Sequence, residues 1–136
     1  MEFNVQFSGG SRVDASFNGF VVQTDQPAGA GGEGSAPTPF ALFLASLATC
    51  AGIYVLGFLR QRGLPTQDVR LIQHVHSDRS SGMVDNIEIE IQVPEGFPEK
   101  YLAPMIRSAE LCAVKKHIEH PPRMSVVTRA TSAEVA

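Results

Sequence analysis

The stretch that decides the fold is Pro37–Gly63, PTPFALFLASLATCAGIYVLGFLRQRG, a long apolar segment with Cys50 near its middle. No charged residue occurs from Ser35 to Leu59. A helix that is hydrophobic on all sides must be buried, either in a protein core or in a membrane. The stretch therefore predicts a buried helix that carries a thiol.

The ends of this helix are marked by residues with clear preferences. Thr38 can cap the helix with Pro39 at its first position, where a missing N–H costs nothing, and Gly63 supplies the stop. A helix of about 24 residues is roughly 36 Å long. Because a domain this small cannot cover such a length by itself, we expect a second subunit, and a homodimer is the commonest arrangement.

A transmembrane helix is the main alternative for the same stretch, since the uncharged run exceeds the roughly 18 to 20 residues that span a bilayer. Ala, Ser, Thr and Gly dilute the run, and neither Trp nor Lys/Arg flanks its N-terminal side. The rest of the chain reads as amphipathic strands that need a helix to pack on. We therefore predict a core helix and no membrane partner. The start MEFNVQFSGG lacks the features of a signal peptide, which predicts a cytoplasmic protein.

Length and composition favour a single domain over residues 1–136. The chain is 43% hydrophobic, which suffices for a core, and its net charge of -3 comes without a Lys/Arg run, so nucleic acid is not an expected partner. Two cysteines are too few for a disulfide scaffold. In a reducing compartment a disulfide is usually transient and catalytic.

Strand patterns and helix patterns are grouped along the chain rather than alternating, which predicts an α+β fold with antiparallel pairing. The expected elements are a three-stranded meander with a turn at Asn18-Gly19, a flexible loop, the long helix, a hairpin, two short helices, a last strand and a frayed tail. Their expected ranges are 2–8, 12–17 and 20–24 for the meander, 25–38 for the loop, 67–79 and 83–93 for the hairpin, 98–111 and 113–120 for the helices, 123–129 for the last strand and 131–136 for the tail.

The two cysteines are the candidate reactive groups. Cys50 lies about three turns into its helix, beyond the N-terminal dipole, so a reactive thiolate there needs a positive group from elsewhere. Cys112 follows a helix and precedes two lysines. Either cysteine could instead pack as a small hydrophobic residue. The candidate cations are Arg12, Arg107, Lys115 and Lys116.

No metal, phosphate or serine-hydrolase motif accompanies the cysteines. The four histidines, together with the cysteines, form no C-x-x-C or H-x-x-x-H spacing, so we predict no metal site. The segment GAGGEG lacks the Lys-Ser/Thr pair of a phosphate loop, and no G-x-S-x-G elbow is present. We expect no cofactor. The histidines are His74, His76, His117 and His120.

PTPFALFLASLATC and, some 60 residues later, AELCAVKKHI resemble the OsmC/Ohr family. The resemblance implies an OsmC-like fold, in which antiparallel sheets wrap around long buried central helices in an intertwined homodimer. It also implies reduction of organic hydroperoxides by thiols, with Cys50 as the attacking thiolate and Cys112 as the resolving thiol. The resulting disulfide would be reopened by a dithiol or a lipoyl protein. Arg12 would correspond to the arginine that steadies the thiolate.

Phe40 is where the sequence departs from the family pattern. Peroxidases of the family usually carry a glutamate here, in a sequence like N-P-E, whereas this chain reads Thr38-Pro39-Phe40. Arg12 would then point at Cys50 or be held by another acid, such as Glu33 or Glu110. Two alternatives to the enzyme follow. One is a non-catalytic protein that binds a small hydrophobic ligand near Phe40, and the other is a redox sensor.

Overall fold

The long helix α1 spans Pro39–Gln61 in the computed structural model, which describes residues 1–131. Its first turn is closed by Thr38, whose hydroxyl oxygen accepts a hydrogen bond from the Ala41 backbone N–H at 3.1 Å. Pro39 occupies the first position of the helix, and Gly63, with φ +62°, follows its end. The predicted helix and both of its boundaries are confirmed.

A three-stranded antiparallel sheet precedes α1. It consists of β1 (Asn4–Gly9), β2 (Arg12–Phe17) and β3 (Phe20–Val22), in the order β1-β2-β3. Asn18 and Gly19 join β2 to β3 with φ values of 47° and 80°, as a two-residue hairpin turn requires. The predicted meander is confirmed.

A second sheet follows α1 as the hairpin of β4 (Arg70–Ser77) and β5 (Val84–Gln92). Side chains alternate between two faces along each strand, so the residues opposite one another in the ladder share a face. Ile89 lies opposite Gln73 on the apolar face, whereas Glu88 lies opposite His74 on the polar face. The predicted hairpin is confirmed with slightly shorter strands.

Two short helices complete the core. The predicted helix over 98–111 begins as a 3-10 turn at Glu99–Tyr101 and becomes α2 at Leu102–Ala109. This later start places Pro104 in the first turn of α2, where its missing N–H breaks no bond. Helix α3 spans Ala113–Glu119. The central buried cluster joins α1 to α2 through Val55, Phe58, Leu59 and Met105, and Leu71 and Ile91 of the hairpin pack against it.

The loop before α1 is ordered around Asp25, so the prediction of a flexible loop is wrong. The Asp25 carboxylate is buried and accepts hydrogen bonds from the backbone N–H groups of Gln26, Glu33 and Ser35 and from the Ser35 hydroxyl. A side chain at Gly32 would place its Cβ 1.9 Å from the Gln26 carbonyl oxygen, so the close approach of the loop to itself requires glycine. The Gly-rich composition reflects tight packing here rather than flexibility.

The predicted strand over 123–129 is wrong within this chain. In the described part of the sequence, residues 121–131 pair with no strand, and Met124 and Val126 are 90% and 99% exposed. A strand exists only when a sheet edge lies beside it, and this chain places no edge there. Of the tail predicted to fray, residues 132–136 lie outside the described residues.

Helix α1 is incompletely covered by its own chain. It contacts α2, α3 and β4 on one side. Its most apolar 18-residue window is nevertheless only 28% buried, and by length and composition alone it could cross a membrane. Phe40, Phe43 and Ile53 are exposed on its other sides. The burial predicted from the sequence is therefore met on one side of the helix.

Candidate active site

Cys50 and Cys112 are brought together where α1 meets the start of α3. Cys50 projects from the middle of α1 and is half-buried, whereas Cys112, the residue before α3, is 2% exposed. The two thiols affect each other's ionisation, because the Cys112 thiol beside Cys50 lowers the pKa of Cys50 and Cys50 raises the pKa of Cys112. The structure brings the two free thiols to the same helix junction, and the roles that the sequence resemblance implies for them stay a prediction.

Backbone N–H groups at the start of α3 stabilise the thiolate of Cys50. The Val114 N–H makes the largest contribution to a lowered pKa of Cys50, and the Cys112 thiol and the Ala113 N–H lower it further. Partial burial acts in the opposite direction, but the pKa stays below its ordinary value. A hydrogen bond to the charged form of a group favours that form. The donors to this sulfur therefore come from α3 and Cys112.

The surroundings of Cys112 raise its pKa, in contrast to those of Cys50. Burial is the main cause of its raised pKa, and a negative charge on the nearby Cys50 raises it as well. Its sulfur also caps α3 by accepting a hydrogen bond from the Lys115 backbone N–H at 3.4 Å. Of the two thiols, Cys50 is therefore the one that ionises first, while Cys112 stays protonated.

Arg12 is placed on β2 and pairs with Asp14, with its Nη2 3.1 Å from the Asp14 Oδ2. Arg12 is thus held by another acid, as one of the two alternatives expected, and this acid is Asp14 rather than Glu33 or Glu110. The Nε atom of Arg12 is buried without a hydrogen-bond partner in the described chain. Arg12 is not among the groups that shift the pKa of Cys50, so its role toward the thiolate stays a prediction.

The other candidate cations have separate surroundings. Lys115 lies between two carboxylates, with its Nζ 4.0 Å from Glu110 and 3.8 Å from Glu119. Arg107 lines a separate groove between α1 and α2, together with Tyr54 and Leu111. Lys116, like these two, is not among the groups that shift the pKa of Cys50. Backbone donors take the place that the sequence suggested for a cation.

An apolar cavity of about 400 Å³ lies beside the thiol pair, between the hairpin and the three helices. Such a volume is within the range of small-molecule pockets. Cys112 belongs to its wall, whereas Cys50 does not, and Phe40 is also not among its lining residues. We call it the isoleucine cavity, after its five isoleucines Ile87, Ile89, Ile91, Ile106 and Ile118.

The histidines engage carboxylates or the backbone. His74 Nε2 lies 2.9 Å from Glu90, and His76 Nδ1 lies 2.6 Å from Asp85, both on the hairpin. His117 Nδ1 contacts the Ala113 carbonyl oxygen at 2.7 Å. Within residues 1–131, no three side chains of His, Cys, Asp or Glu are grouped so that they could hold a metal ion.

The α3 N–H donors were missed by reasoning from the sequence. Every residue except proline carries a backbone N–H, so no particular residue type in a sequence indicates such a donor. The available signal was Cys112 at the predicted start of a helix, because the first N–H groups of a helix have no partner within it. Asp25 was missed as well, although an aspartate before a Gly-rich segment is typical of side-chain to backbone hydrogen bonding.

The chain was compared with known proteins in sequence and in structure. The family model described as OsmC-like protein matches residues 32–127. No curated protein matches the chain in sequence.

Solved structures share the fold. A protein from Psychrobacter arcticus assigned to osmotic stress induction and detoxification response superposes with a TM-score of 0.72, at 23% identity over 88% of each chain. An OsmC-like protein from Mycoplasma pneumoniae gives 0.66, at 12% identity over 89% of each chain. An organic hydroperoxide resistance protein from Elizabethkingia anophelis gives 0.55, at 19% identity over 89% of this chain and 90% of the other. At these identities the likeness concerns the fold.

Proposed function

The chain belongs to the OsmC-like protein family, and we propose that it is a thiol peroxidase that reduces organic hydroperoxides through a Cys50–Cys112 dithiol and disulfide cycle. The observation that carries the proposal is the thiol pair itself. Cys50 is half-buried and has a lowered pKa, and the buried Cys112 thiol is one of the groups that lower it. This is the arrangement that an attacking thiolate and a resolving thiol require.

In the oxidative half of the cycle, the Cys50 thiolate attacks the terminal oxygen of the hydroperoxide. The O–O bond breaks, Cys50 becomes a sulfenic acid, and the alcohol product leaves after taking a proton. Cys112 then loses its proton and attacks the Cys50 sulfur, which releases water and forms the disulfide. A dithiol reductant, either a small molecule or a lipoyl group on a protein, returns both cysteines to thiols.

The proposed enzyme is a cytoplasmic homodimer. The support for the dimer is the uncovered apolar surface of one chain, including Phe40, Phe43 and Ile53 on α1 and Phe7 on β1. Large exposed apolar areas mark interaction sites. In the dimer, Arg12 of either chain is the proposed cation near the thiolate. The support is that its Nε atom is buried and finds no hydrogen-bond partner among the described residues of one chain.

A steady-state assay tests the activity. Purified protein should consume cumene hydroperoxide and tert-butyl hydroperoxide in the presence of dithiothreitol or a lipoyl reductant. Cys50→Ser should lower the rate to background. Cys112→Ser should abolish turnover that depends on the disulfide while leaving one oxidation event per Cys50. A rate that is unchanged in Cys50→Ser, or no consumption by the wild type, would contradict the proposal.

A non-catalytic protein that binds a small hydrophobic ligand is the second candidate. The isoleucine cavity favours it, because an apolar cavity of this size suits such a ligand. The cavity lies beside Cys112 rather than near Phe40, where the sequence had suggested the ligand. Native mass spectrometry that finds a retained ligand, together with no peroxidase turnover, would favour this candidate over the enzyme.

A further inference from the structure

We propose that the dithiol reductant reaches the oxidised site through the isoleucine cavity and attacks the sulfur of Cys112, so that Cys50 is the thiolate that leaves. The inference rests on the proposed dithiol and disulfide cycle and adds the route and direction of its reductive half. It follows from the different surroundings of the two sulfurs.

Access distinguishes the two cysteines. Cys112 is 2% exposed, and it is a wall residue of the isoleucine cavity. Cys50 is not part of that wall and is half-buried on α1. A molecule seated in the cavity therefore meets Cys112 first. Because Cys50 is not a wall residue, the inference places the approach of the hydroperoxide to Cys50 outside the cavity.

The relative acidity of the two thiols also favours attack on Cys112. In thiol–disulfide exchange, the sulfur with the lower thiol pKa leaves faster as a thiolate. The N–H groups of Val114 and Ala113 stabilise the negative charge on Cys50, whereas burial disfavours a charge on Cys112. Attack on Cys112 thus expels the better leaving group, and attack on Cys50 would expel the poorer one.

The exchange proceeds in two balanced steps. A thiolate of the dithiol bonds to the Cys112 sulfur while the Cys50–Cys112 bond breaks, and its electron pair stays on Cys50. The second thiol of the reductant, having lost its proton, then attacks the reductant's first sulfur. This closes the reductant's own disulfide and releases Cys112, which takes up a proton. The protein gains two electrons, and the dithiol loses two.

The cavity also indicates which dithiol fits. Its wall is apolar apart from Cys112 and the charged residues Glu110, Lys115 and Glu119. These three sum to a charge of -1, because one lysine lies between two glutamates. An alkyl dithiol with a neutral end group is therefore favoured over one with a carboxylate.

Trapping tests which sulfur is attacked. The disulfide is formed with diamide, which needs no hydroperoxide, and the oxidised protein is treated with mercaptohexanol, a neutral alkyl monothiol that cannot close a ring. After an acid quench, peptide mass mapping should find the adduct on Cys112. An adduct on Cys50 would overturn the inference but leave the peroxidase proposal intact. Failure of diamide to form the disulfide would overturn both.

Filling the cavity tests the route. Ile89→Trp should slow reduction of the diamide-formed disulfide by dihydrolipoamide at least tenfold, while Cys50 oxidation by cumene hydroperoxide changes less than twofold. Ile72→Trp, on the other face of the same hairpin, is the matched control, and its disulfide should be reduced at the wild-type rate. Equal reduction rates in the two variants would contradict the cavity route.

The end-group preference is a third measurement. Dihydrolipoamide should reduce the wild type faster than dihydrolipoate does, and the difference should shrink as salt is raised, because salt screens exposed charges. Glu119→Gln should likewise make the difference in rate between the two reductants smaller. A faster reaction with the carboxylate would contradict the effect assigned to the charged wall residues Glu110, Lys115 and Glu119.

Discussion

Cys50 and Cys112 differ in acidity because of the groups that face them rather than because of their neighbours in sequence. Cys50 is embedded in an uncharged apolar helix, yet N–H groups from α3 and the Cys112 thiol lower its pKa. Cys112 precedes two lysines in sequence, yet burial raises its pKa. The neighbours in sequence alone would not give this order, since the two lysines follow Cys112. Tertiary contact between α1 and α3 decides the order of ionisation.

The lowered pKa of Cys50 predicts how its reactivity depends on pH. Only the thiolate attacks, so the rate of oxidation should rise with pH and level off once Cys50 is ionised, with a midpoint below that of an ordinary cysteine. Val114→Pro removes the main N–H donor and should shift the midpoint upward and lower the rate at pH 7 about tenfold, because a hydrogen bond to a charged group is worth about 1.5 to 3 kcal/mol.

Proline is tolerated in the first turn of a helix, which makes this variant practical. Val114→Ala keeps the N–H and is the matched control. Ala113→Pro provides a second test at the first position of α3, where proline fits best, and should give a smaller shift. The rates can be followed by stopped-flow with cumene hydroperoxide. Identical pH profiles for wild type and Val114→Pro would refute the role of this donor.

The site residues could be predicted only in part from the sequence. The resemblance to a family predicts the two cysteines as a pair, and in the structure the Cys112 thiol contributes to the lowered pKa of Cys50. The charge partner was expected to be a side chain, because a sequence displays side chains and not the direction of backbone groups. Arg12 was expected near Cys50, but within one chain it is bound to Asp14 two residues away.

At the scale of elements, the helices and strands followed the hydrophobic pattern, whereas the loop before α1 did not follow its composition. Alternating isoleucines identified β5, and Thr38-Pro39 identified the start of α1. The composition of the Gly-rich segment predicts flexibility because single-residue preferences do not include long-range bonds to a buried Asp25. Contacts of this kind appear only when the loop has closed on itself.

The Asp25 loop predicts a dependence of stability on pH. The hydroxyl of Ser35 is the first cause of a pKa of about 2 for Asp25, followed by backbone N–H groups. Since this pKa lies below the usual value of about 3.9 for an unfolded aspartate, its stabilising effect is complete above pH 4 and is lost as the pH falls toward 2.

Asp25→Asn should therefore lower Tm at pH 7 by several degrees and reduce the fall in Tm between pH 5 and pH 2.5. Thermal unfolding followed by circular dichroism at several pH values measures both. Asp68→Asn changes the same residue type in the turn before β4 and serves as the control. An equal loss of Tm in both variants at pH 7 would contradict a special role for Asp25.

At the scale of the whole molecule, one chain by itself leaves a large apolar surface exposed to solvent. Phe40, Phe43 and Ile53 of α1, the outer strand β1 and the segment 123–129 present large apolar side chains to solvent. The sequence indicated this through a helix too long for one small domain to cover. The failed prediction of a last strand has the same origin, because the edge that such a strand needs is not supplied by its own chain.

Dimer formation predicts a particle of twice the chain mass of 14.6 kDa in size-exclusion chromatography with light scattering. Ile53→Glu, at a residue of α1 that is 60% exposed in one chain, should shift the protein to monomers, because a charge would have to be buried in the interface. Met83→Glu, at a hairpin residue that is 68% exposed, should remain dimeric. A monomeric wild type at micromolar concentration would contradict the proposal.

The most direct test of the central claim, that Cys50 attacks the hydroperoxide and Cys112 resolves it, is the mass of the protein after one equivalent of cumene hydroperoxide. The wild type should lose two hydrogens and yield a Cys50–Cys112 disulfide peptide. Cys112→Ser should instead gain one oxygen on Cys50, and Cys50→Ser should remain unchanged. An unmodified wild type, or oxygen added first to Cys112, would contradict the account.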